Sequence, residues 1–216
     1  MDVREARSVR SALVPPELRG PARFAVGTCA LVVLALGVRY RAQHVPGQLD
    51  TDVEDWLRAH VAGHAPVLHA VATVGSLLPV LVAVTVVAAV GYAVGRWRMV
   101  LLAVLGPAAA IAVTESLKPL FGRTINDYWS FPSGHTTAVV SLLTVLALIW
   151  LRRPGRGVAV VVGSVFLVQA VLAAGMAIAL IRLHLHYATD IAGGGCTGFA
   201  VVVVVAFVTE RLGGRR

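Results

Sequence analysis

The sequence predicts an all-α membrane protein, a bundle of six transmembrane helices. Of its 216 residues, 57% are hydrophobic and only 14% are charged, whereas soluble domains have about 25% charged residues. Mean hydropathy is +0.80, and several runs of Val, Ala and Leu are long enough to cross a bilayer. Together these features indicate a polytopic membrane protein with one compact helical domain.

Six apolar runs separated by short polar segments account for the predicted spans. They cover residues 24–38, 67–94, 99–117, 136–151, 158–181 and 188–208, with Pro79 as a candidate kink in the second. A short helix over 52–61 follows capping-box spacing at 51–54, and it either lies at the membrane interface or is an ordinary loop helix. The predicted domains are a loose, basic cytoplasmic segment over 1–22, the six-span domain over 23–209 and a basic cytoplasmic tail over 210–216.

The positive charges are distributed unevenly between the loops. Segments 1–23, 95–98, 152–157 and 209–216 hold 13 of the 19 Lys and Arg residues. The positive-inside rule therefore predicts that both termini are cytoplasmic and that the other ends of the helices face outward. Because the arginines are scattered over several short loops, the net charge of +8 does not indicate a nucleic-acid partner.

The motif Pro132–Ser133–Gly134–His135 stands directly before the fourth apolar run. Ser133 is a candidate N-cap, and the free N–H groups and dipole of the following helix favour an anion. Gly134 lets a phosphate approach the backbone, and His135 can exchange a proton near neutral pH. This pattern indicates phosphate chemistry at a membrane surface.

A second group of polar residues precedes the sixth run. Arg182, His186 and Asp190 are spaced four residues apart, so a continuous helix would align them in one stripe. Asp190 could then orient His186 as a nucleophile while Arg182 holds phosphate oxygens. The alternative is a structural His–Asp pair that joins two helices. His184 would point away from such a stripe.

Two further cations follow the third run, on the predicted outer side. Lys118 and Arg123 lie within 18 residues of the Pro-Ser-Gly-His motif. Glu115, one turn before Lys118, could pair with either cation. Cys29 and Cys196 fall in apolar runs and indicate no disulfide, and the outer side has no cluster of three or more His or carboxylate ligands, so neither a metal nor a cofactor is predicted.

These motifs resemble those of the type-2 phosphatidic acid phosphatases, a family that shares its core with vanadium haloperoxidases. The family pattern is Lys, six residues, then Arg-Pro; Pro-Ser-Gly-His; and Ser-Arg, five residues, His, three residues, Asp. Here Lys118, the motif from Pro132 to His135, and His186 with Asp190 match it. The resemblance extends from about residue 60 to 208 and includes the six-span layout of integral-membrane bacterial members.

The chain departs from that pattern at two arginines. Ile125-Asn126 stands where the family has Arg-Pro, and Leu180 stands where the family has the later Arg. Arg123 and Arg182 each lie two residues away from these positions. Our hypothesis is that they replace the missing cations, in which case Arg123→Ala and Arg182→Ala would each cut turnover strongly.

The resemblance implies a metal-independent phosphatase that acts on a lipid. His186 would form a phosphohistidine, His135 would protonate the leaving oxygen and Asp190 would orient His186. Lys118, Arg123, Ser133, Gly134 and Arg182 would bind the phosphate. Expected substrates are polyprenyl phosphates or diphosphates, phosphatidic acid and phosphatidylglycerol phosphate, at the extracytoplasmic face of the cell membrane. A homodimer is left open, as are two alternative functions: a lipid-linked phosphotransferase, and an inactive protein that binds or transports lipid phosphates.

Overall fold

The structure is a computed structural model that describes residues 13–61, 63–151 and 158–213. Its helices are α1 (Arg19–Arg39), α2 (Gln48–His60), α3 (Ala65–Val74), α4 (Leu77–Ala93), α5 (Trp97–Phe121), α6 (Gly134–Leu151), α7 (Val158–Arg182) and α8 (Ala188–Gly213). A two-stranded antiparallel hairpin, β1 (Thr124–Ile125) and β2 (Tyr128–Trp129), joins α5 to α6. The all-α prediction is confirmed, and the hairpin is a small addition to it.

Four helices within the described ranges are long and apolar enough to cross a membrane. They are Pro16–Arg39, which includes a short 3-10 turn before α1, and α5, α6 and α8. The pair α3 and α4 makes a fifth candidate, bent by 46°. Helix α7 has 25 residues, of which the stretch Ala170–Arg182 qualifies as a shorter apolar helix. The chain is thus an all-helical membrane protein, and the count of six spans stays a prediction.

Helix α8 is central, because α1, α5 and α6 all pack against it. Gly194 and Gly198 allow the close approach of α6. A β-carbon on Gly194 would lie 2.4 Å from the Ser133 carbonyl oxygen, and one on Gly198 would lie 2.7 Å from that of Thr137. Away from the site, Leu102, Val145 and Val202 and their neighbours form an apolar core between these helices.

The second predicted span is interrupted earlier than expected. The break falls at Gly75 and Ser76, between α3 and α4, and not at Pro79. Pro79 occupies the first turn of α4, where a backbone N–H has no helical partner, so proline is tolerated there without a kink. The break brings Gly75 against α6. An ideal β-carbon on Gly75 would lie 3.2 Å from the β-carbon of His135.

Two helix starts also differ from the prediction. Helix α2 begins at Gln48, because Asp50, and not Glu54, closes the cap by accepting the Gly47 N–H at 3.0 Å. Residues 13–22 are not loose: Leu13 and Val14 are buried in the core, and the Val14 N–H donates to Glu210 at 2.7 Å. Residues 1–12, the predicted basic loop at 152–157 and the last three residues of the tail lie outside the described ranges.

Candidate active site

The Pro-Ser-Gly-His motif forms the start of α6, as predicted. Ser133 is the N-cap, and its Oγ accepts the Thr136 N–H at 3.3 Å and the Thr136 hydroxyl at 3.1 Å. The Ser133 carbonyl accepts the Thr137 N–H at 3.0 Å. The cap therefore leaves the N–H groups of Gly134 and His135 for another acceptor. Ser133 is fully buried, and its hydroxyl caps the helix. This position does not support the predicted direct contact between Ser133 and phosphate.

Both candidate catalytic histidines line one cavity of about 540 Å³. The ring centroids of His135 and His186 are 5.8 Å apart, with an angle of 66° between the planes. His135 is in the first turn of α6, and His186 is in the connection between α7 and α8. Residues distant in the sequence thus meet at one end of the helix bundle.

The remaining walls of the cavity are mostly apolar. Leu77 and Val80 of α4, Ile111 of α5 and Ala138 of α6 form one side, and Tyr128 and Trp129 of the hairpin lie near the opening. Tyr128 and Trp129 are 78% and 53% exposed, respectively. Polar groups are therefore gathered at one end of a pocket whose other walls suit hydrocarbon.

Lys118 supplies the positive charge of the cavity. Its ammonium is 2.6 Å from Glu115 Oε1, one helical turn earlier on α5, and both side chains line the cavity. Among the lining residues in the described ranges, Lys118 is the only Lys or Arg and Glu115 the only carboxylate. The predicted pairing of Glu115 with Lys118 is confirmed.

The predicted stripe of Arg182, His186 and Asp190 is wrong, because no continuous helix carries these residues. Helix α7 ends at Arg182, and the chain turns at His184, whose φ is 53°. The N–H groups of Leu185 and His186 then return to the Leu180 carbonyl, at 2.9 and 3.4 Å. His186 consequently reaches the cavity from a tight turn, whereas Asp190, in the first turn of α8, is fully buried and does not line the cavity.

Asp190 is near His186 without bonding to it. Asp190 Oδ2 and His186 Nδ1 are 3.9 Å apart, beyond hydrogen-bond length. Oδ2 instead accepts the Tyr187 N–H at 3.0 Å. Nδ1 is buried and has no hydrogen-bond partner among the residues that the structure describes. The distance between the carboxylate and the imidazole is therefore about 1 Å longer than a normal hydrogen bond.

Arg123 does not line the cavity; it is fully buried behind it. Its Nη1 donates to Asp190 Oδ1 at 2.7 Å and to the Thr189 hydroxyl at 2.6 Å. Its Nη2 donates to Asp50 Oδ2 at 2.6 Å, and Asp50 Oδ1 accepts the N–H and the hydroxyl of Thr189 at 2.9 and 2.8 Å. Asp50, Arg123 and Asp190 form a buried ion triad that ties α2 to α8.

Two tyrosine rings enclose the guanidinium of this triad. The Cζ of Arg123 lies 4.4 Å from the centroid of Tyr40 and 4.4 Å from that of Tyr187, which are cation–π distances. The Tyr187 hydroxyl donates to the His44 carbonyl at 3.4 Å. Burial raises the pKa of Tyr187, opposed by the Arg123 charge, so this hydroxyl stays protonated and neutral beside two carboxylates.

Comparison with known proteins identifies the family. The PAP2 superfamily model matches residues 76–213. The chain belongs to the PAP2 superfamily. A similar solved structure is the transmembrane PAP2-type phosphatidylglycerolphosphate phosphatase from Bacillus subtilis, with a TM-score of 0.71 and 18% identity over 88% of this chain and 98% of that one. At this identity the likeness concerns the fold. Comparison with curated protein sequences gives no significant match.

The two departures from the PAP2 pattern have different environments. Ile125 and Asn126, at the missing Arg-Pro, line the cavity, and the Asn126 amide donates to the His184 carbonyl at 3.2 Å. Leu180, at the second missing arginine, is fully buried among apolar residues of α2, α3 and α7. An apolar side chain therefore occupies each position where the family has a cation.

Arg182 does not compensate for the loss at Leu180 in this geometry. Its guanidinium lies beside Gly63, whose ideal β-carbon would be 3.3 Å from Nη2, and Arg182 is not part of the cavity wall. Its Nε is buried, with no hydrogen-bond partner in the described ranges. The hypothesis that Arg123 and Arg182 take over phosphate binding is thus not supported by where their side chains lie.

Sequence reasoning missed the residues that surround Arg123. Asp50 completes the ion triad, and Tyr40, Tyr187 and Thr189 contact its guanidinium. Asp50 and Tyr40 precede the region that matches the family. The available signal was a carboxylate at an acidic helix start in a mostly apolar chain.

In the described residues, His, Cys, Asp and Glu form no group of three or more that could hold a metal ion, and metal independence stays a prediction.

Proposed function

We propose that this PAP2 protein hydrolyses a phosphate ester or diphosphate of a membrane lipid through a phosphohistidine. The observation that carries the proposal is the meeting of His135 and His186, 5.8 Å apart, in one cavity with Lys118. PAP2 membership supports phosphatase chemistry in general. A nucleophile, a proton donor and a cation around one pocket are what phosphoryl transfer requires.

His186 is the proposed nucleophile. Its Nδ1 faces Asp190, so Nε2 is the nitrogen left to attack phosphorus. A bond forms between Nε2 and phosphorus while the bond from phosphorus to the lipid oxygen breaks, and His135 gives that oxygen a proton. His135 then takes a proton from water, which attacks the phosphohistidine and releases inorganic phosphate. Asp190 stabilises the positive charge that the ring carries in between.

The phosphate oxygens are held by a small set of donors in this proposal. Lys118 supplies a full positive charge, and the N–H groups of Gly134 and His135 point from the start of α6. Ser133 and Arg123 act indirectly: Ser133 shapes the helix start, and Arg123 holds Asp190. Arg182 has no phosphate contact in this assignment.

The walls of the pocket support a lipid substrate. Leu77, Val80 and Ile111 extend the cavity along α4 and α5, so a hydrocarbon tail fits there while its phosphate reaches the histidines. The charge distribution of the loops supports cytoplasmic termini and a site at the extracytoplasmic face.

Release of inorganic phosphate tests the proposal directly. Purified protein in detergent micelles is offered phosphatidic acid, phosphatidylglycerol phosphate and a polyprenyl diphosphate, with and without EDTA. We expect release from at least one substrate, unchanged by EDTA. An acid-labile phosphoenzyme should accumulate during turnover and be lost in His186→Ala. No release from any substrate would reject the hydrolase, and inhibition by EDTA would reject the metal-free mechanism.

A lipid-phosphate-binding protein without turnover is the second candidate. The apolar residues at both missing arginine positions and the burial of Arg123 favour it, because they leave Lys118 as the only Lys or Arg on the described cavity wall. Under this alternative, lipid phosphates bind with equal affinity to the native chain and to His186→Ala, and no phosphoenzyme is trapped. Loss of trapping only in His186→Ala would exclude it.

A further inference from the structure

Glu115 lies within the proposed phosphate site, and the mechanism above gives it no role. It is in α5, a candidate membrane span; its side chain is 54% exposed, and it lines the cavity. A carboxylate within a spanning helix is costly and rarely present without a function. Pairing with Lys118 at 2.6 Å lowers that cost but weakens the cation that the phosphate needs.

The carboxylate and the ammonium converge on the start of α6. An ideal β-carbon on Gly134 would lie 3.7 Å from Glu115 Oε1 and 3.7 Å from Lys118 Nζ. One corner of the cavity therefore contains a helix N-terminus, one cation and one anion. A phosphate bound at this corner would have both Lys118 and Glu115 nearby, so a substituent next to the phosphate could reach the Glu115 carboxylate.

The charges on this corner restrict what the neighbouring substituent can be. The charges of Lys118 and Glu115 sum to zero, and no other Lys, Arg, Asp or Glu in the described ranges lines the cavity. A second phosphate group would place further negative charge beside the carboxylate and be repelled. A hydroxyl would instead donate a charge-assisted hydrogen bond to Glu115 and leave Lys118 free to hold the phosphate.

We propose that Glu115 is the specificity-determining residue of the site, selecting phosphomonoesters that have a hydroxyl next to the phosphate and rejecting diphosphates. This inference rests on the proposed function. It predicts a lipid whose phosphate-bearing end is a polyol, such as a glycerol or a sugar.

Three substrates with one tail isolate the effect: dodecyl phosphate, 2-hydroxydodecyl phosphate and dodecyl diphosphate. For the native chain, kcat/KM should be highest for the hydroxylated ester and lowest for the diphosphate. Glu115→Ala should lose the hydroxyl preference, about tenfold for one charge-assisted hydrogen bond, and gain relative activity on the diphosphate. Glu115→Gln keeps an acceptor but no charge, so it should gain on the diphosphate while retaining part of the hydroxyl preference.

Asp55→Asn is the matched control, because Asp55 is an exposed carboxylate on α2, outside the cavity wall; its three kcat/KM values should keep their native ratios. Equal changes for all three substrates in Glu115→Ala would overturn the inference, since Glu115 would then only support Lys118.

Binding of the matching dodecyl phosphonates gives a readout without turnover. If the native chain hydrolyses nothing but binds the hydroxylated phosphonate best, and Glu115→Ala does not, the hydrolase proposal fails and the role of Glu115 stands. Equal binding of the phosphonates by the native chain would overturn that role.

Discussion

At the level of single residues, the structure separates Lys118 from the two nearby arginines. Lys118 lines the cavity with both histidines, Arg123 is buried behind it, and Arg182 lies beside Gly63. Three basic residues that look equivalent in the sequence therefore have three different environments, and we expect three different mutant phenotypes.

Lys118→Ala should lower kcat by roughly 100-fold or more, because in the proposed site it removes the only Lys or Arg that lines the cavity in the described ranges. Arg182→Ala should leave kcat nearly unchanged, which revises the expectation from the sequence. Steady-state release of phosphate from micellar substrate measures both. A large loss in Arg182→Ala together with a small one in Lys118→Ala would show that the assignment of cations is reversed.

Arg123→Ala should act through stability. Removing the guanidinium leaves Asp50 and Asp190 buried without a counter-charge, at a cost of about 3–5 kcal/mol. Arg123→Lys should also destabilise, because a single ammonium cannot bridge the two carboxylates as the planar fork does. Thermal unfolding in detergent measures the loss.

Arg58→Ala provides the control for this stability measurement, because Arg58 pairs with Glu54 on the surface with its side chain 54% exposed. Its removal should change stability by no more than about 1 kcal/mol. If Arg123→Ala and Arg58→Ala had the same melting temperature, and Arg123→Ala had lost phosphate binding, Arg123 would be a direct ligand of the phosphate.

At the level of secondary-structure elements, the site depends on how closely α8 approaches α6. Gly194 faces the Ser133 carbonyl, with 2.4 Å between that oxygen and an ideal β-carbon, whereas a β-carbon on Gly195 would meet its nearest neighbour, Thr136, at 3.9 Å. Adjacent glycines on one helix therefore have opposite tolerance for a methyl group.

Gly194→Ala should separate α6 from α8, displace the Ser133 cap and reduce both stability and turnover. Gly195→Ala should be neutral or stabilising by up to about 1 kcal/mol, since alanine favours a helix more than glycine does. Melting temperature and phosphate release, measured on both variants, test the pair. Equal behaviour of the two variants would contradict the described packing.

Helix α2 shows where sequence reasoning was limited. Local signals placed a short helix near residues 52–61, because an acidic cap followed by an amphipathic run is readable without tertiary structure. They could not show that Asp50 reaches Arg123 and Thr189, since that contact joins segments far apart in the chain. The stripe from Arg182 to Asp190 was wrong for a related reason: the turn at His184 has no Gly or Pro to mark it, and its carbonyl accepts the Asn126 amide of a distant segment.

For the molecule as a whole, composition and the length of the apolar runs were sufficient to predict an all-α membrane protein, because an apolar run that spans a bilayer forms a helix to satisfy its own backbone polar groups. The Pro-Ser-Gly-His motif was equally readable, since a helix cap is a local device and Ser133 caps α6 as expected. Of the residues that line the cavity, Lys118, Gly134, His135 and His186 were predicted from the sequence, whereas its apolar walls were not. Its walls come from α4, α5, α6 and the hairpin, and their register is fixed by packing.

The orientation of the bundle can be tested by chemical labelling. In a variant that lacks Cys29 and Cys196, Asp55→Cys marks the end of the bundle that holds the site, and Arg96→Cys marks the opposite end. On intact cells, a membrane-impermeant maleimide should label the first and spare the second, because the positive-inside rule puts residues 95–98 in the cytoplasm. Labelling of Arg96→Cys alone would invert the topology and move the site to the cytoplasmic face.

The buried ion triad has one electrostatic consequence for the reaction cycle. Two carboxylates share a single guanidinium, so the enclosed group carries an excess of one negative charge. Among the described residues, Nδ1 of His186 has no hydrogen-bond partner and lies 3.9 Å from Oδ2 of Asp190, a member of the triad. If the ring becomes a phosphorylated imidazolium, as we propose, its new positive charge offsets that excess, so the triad behind the cavity favours the covalent intermediate over the free enzyme.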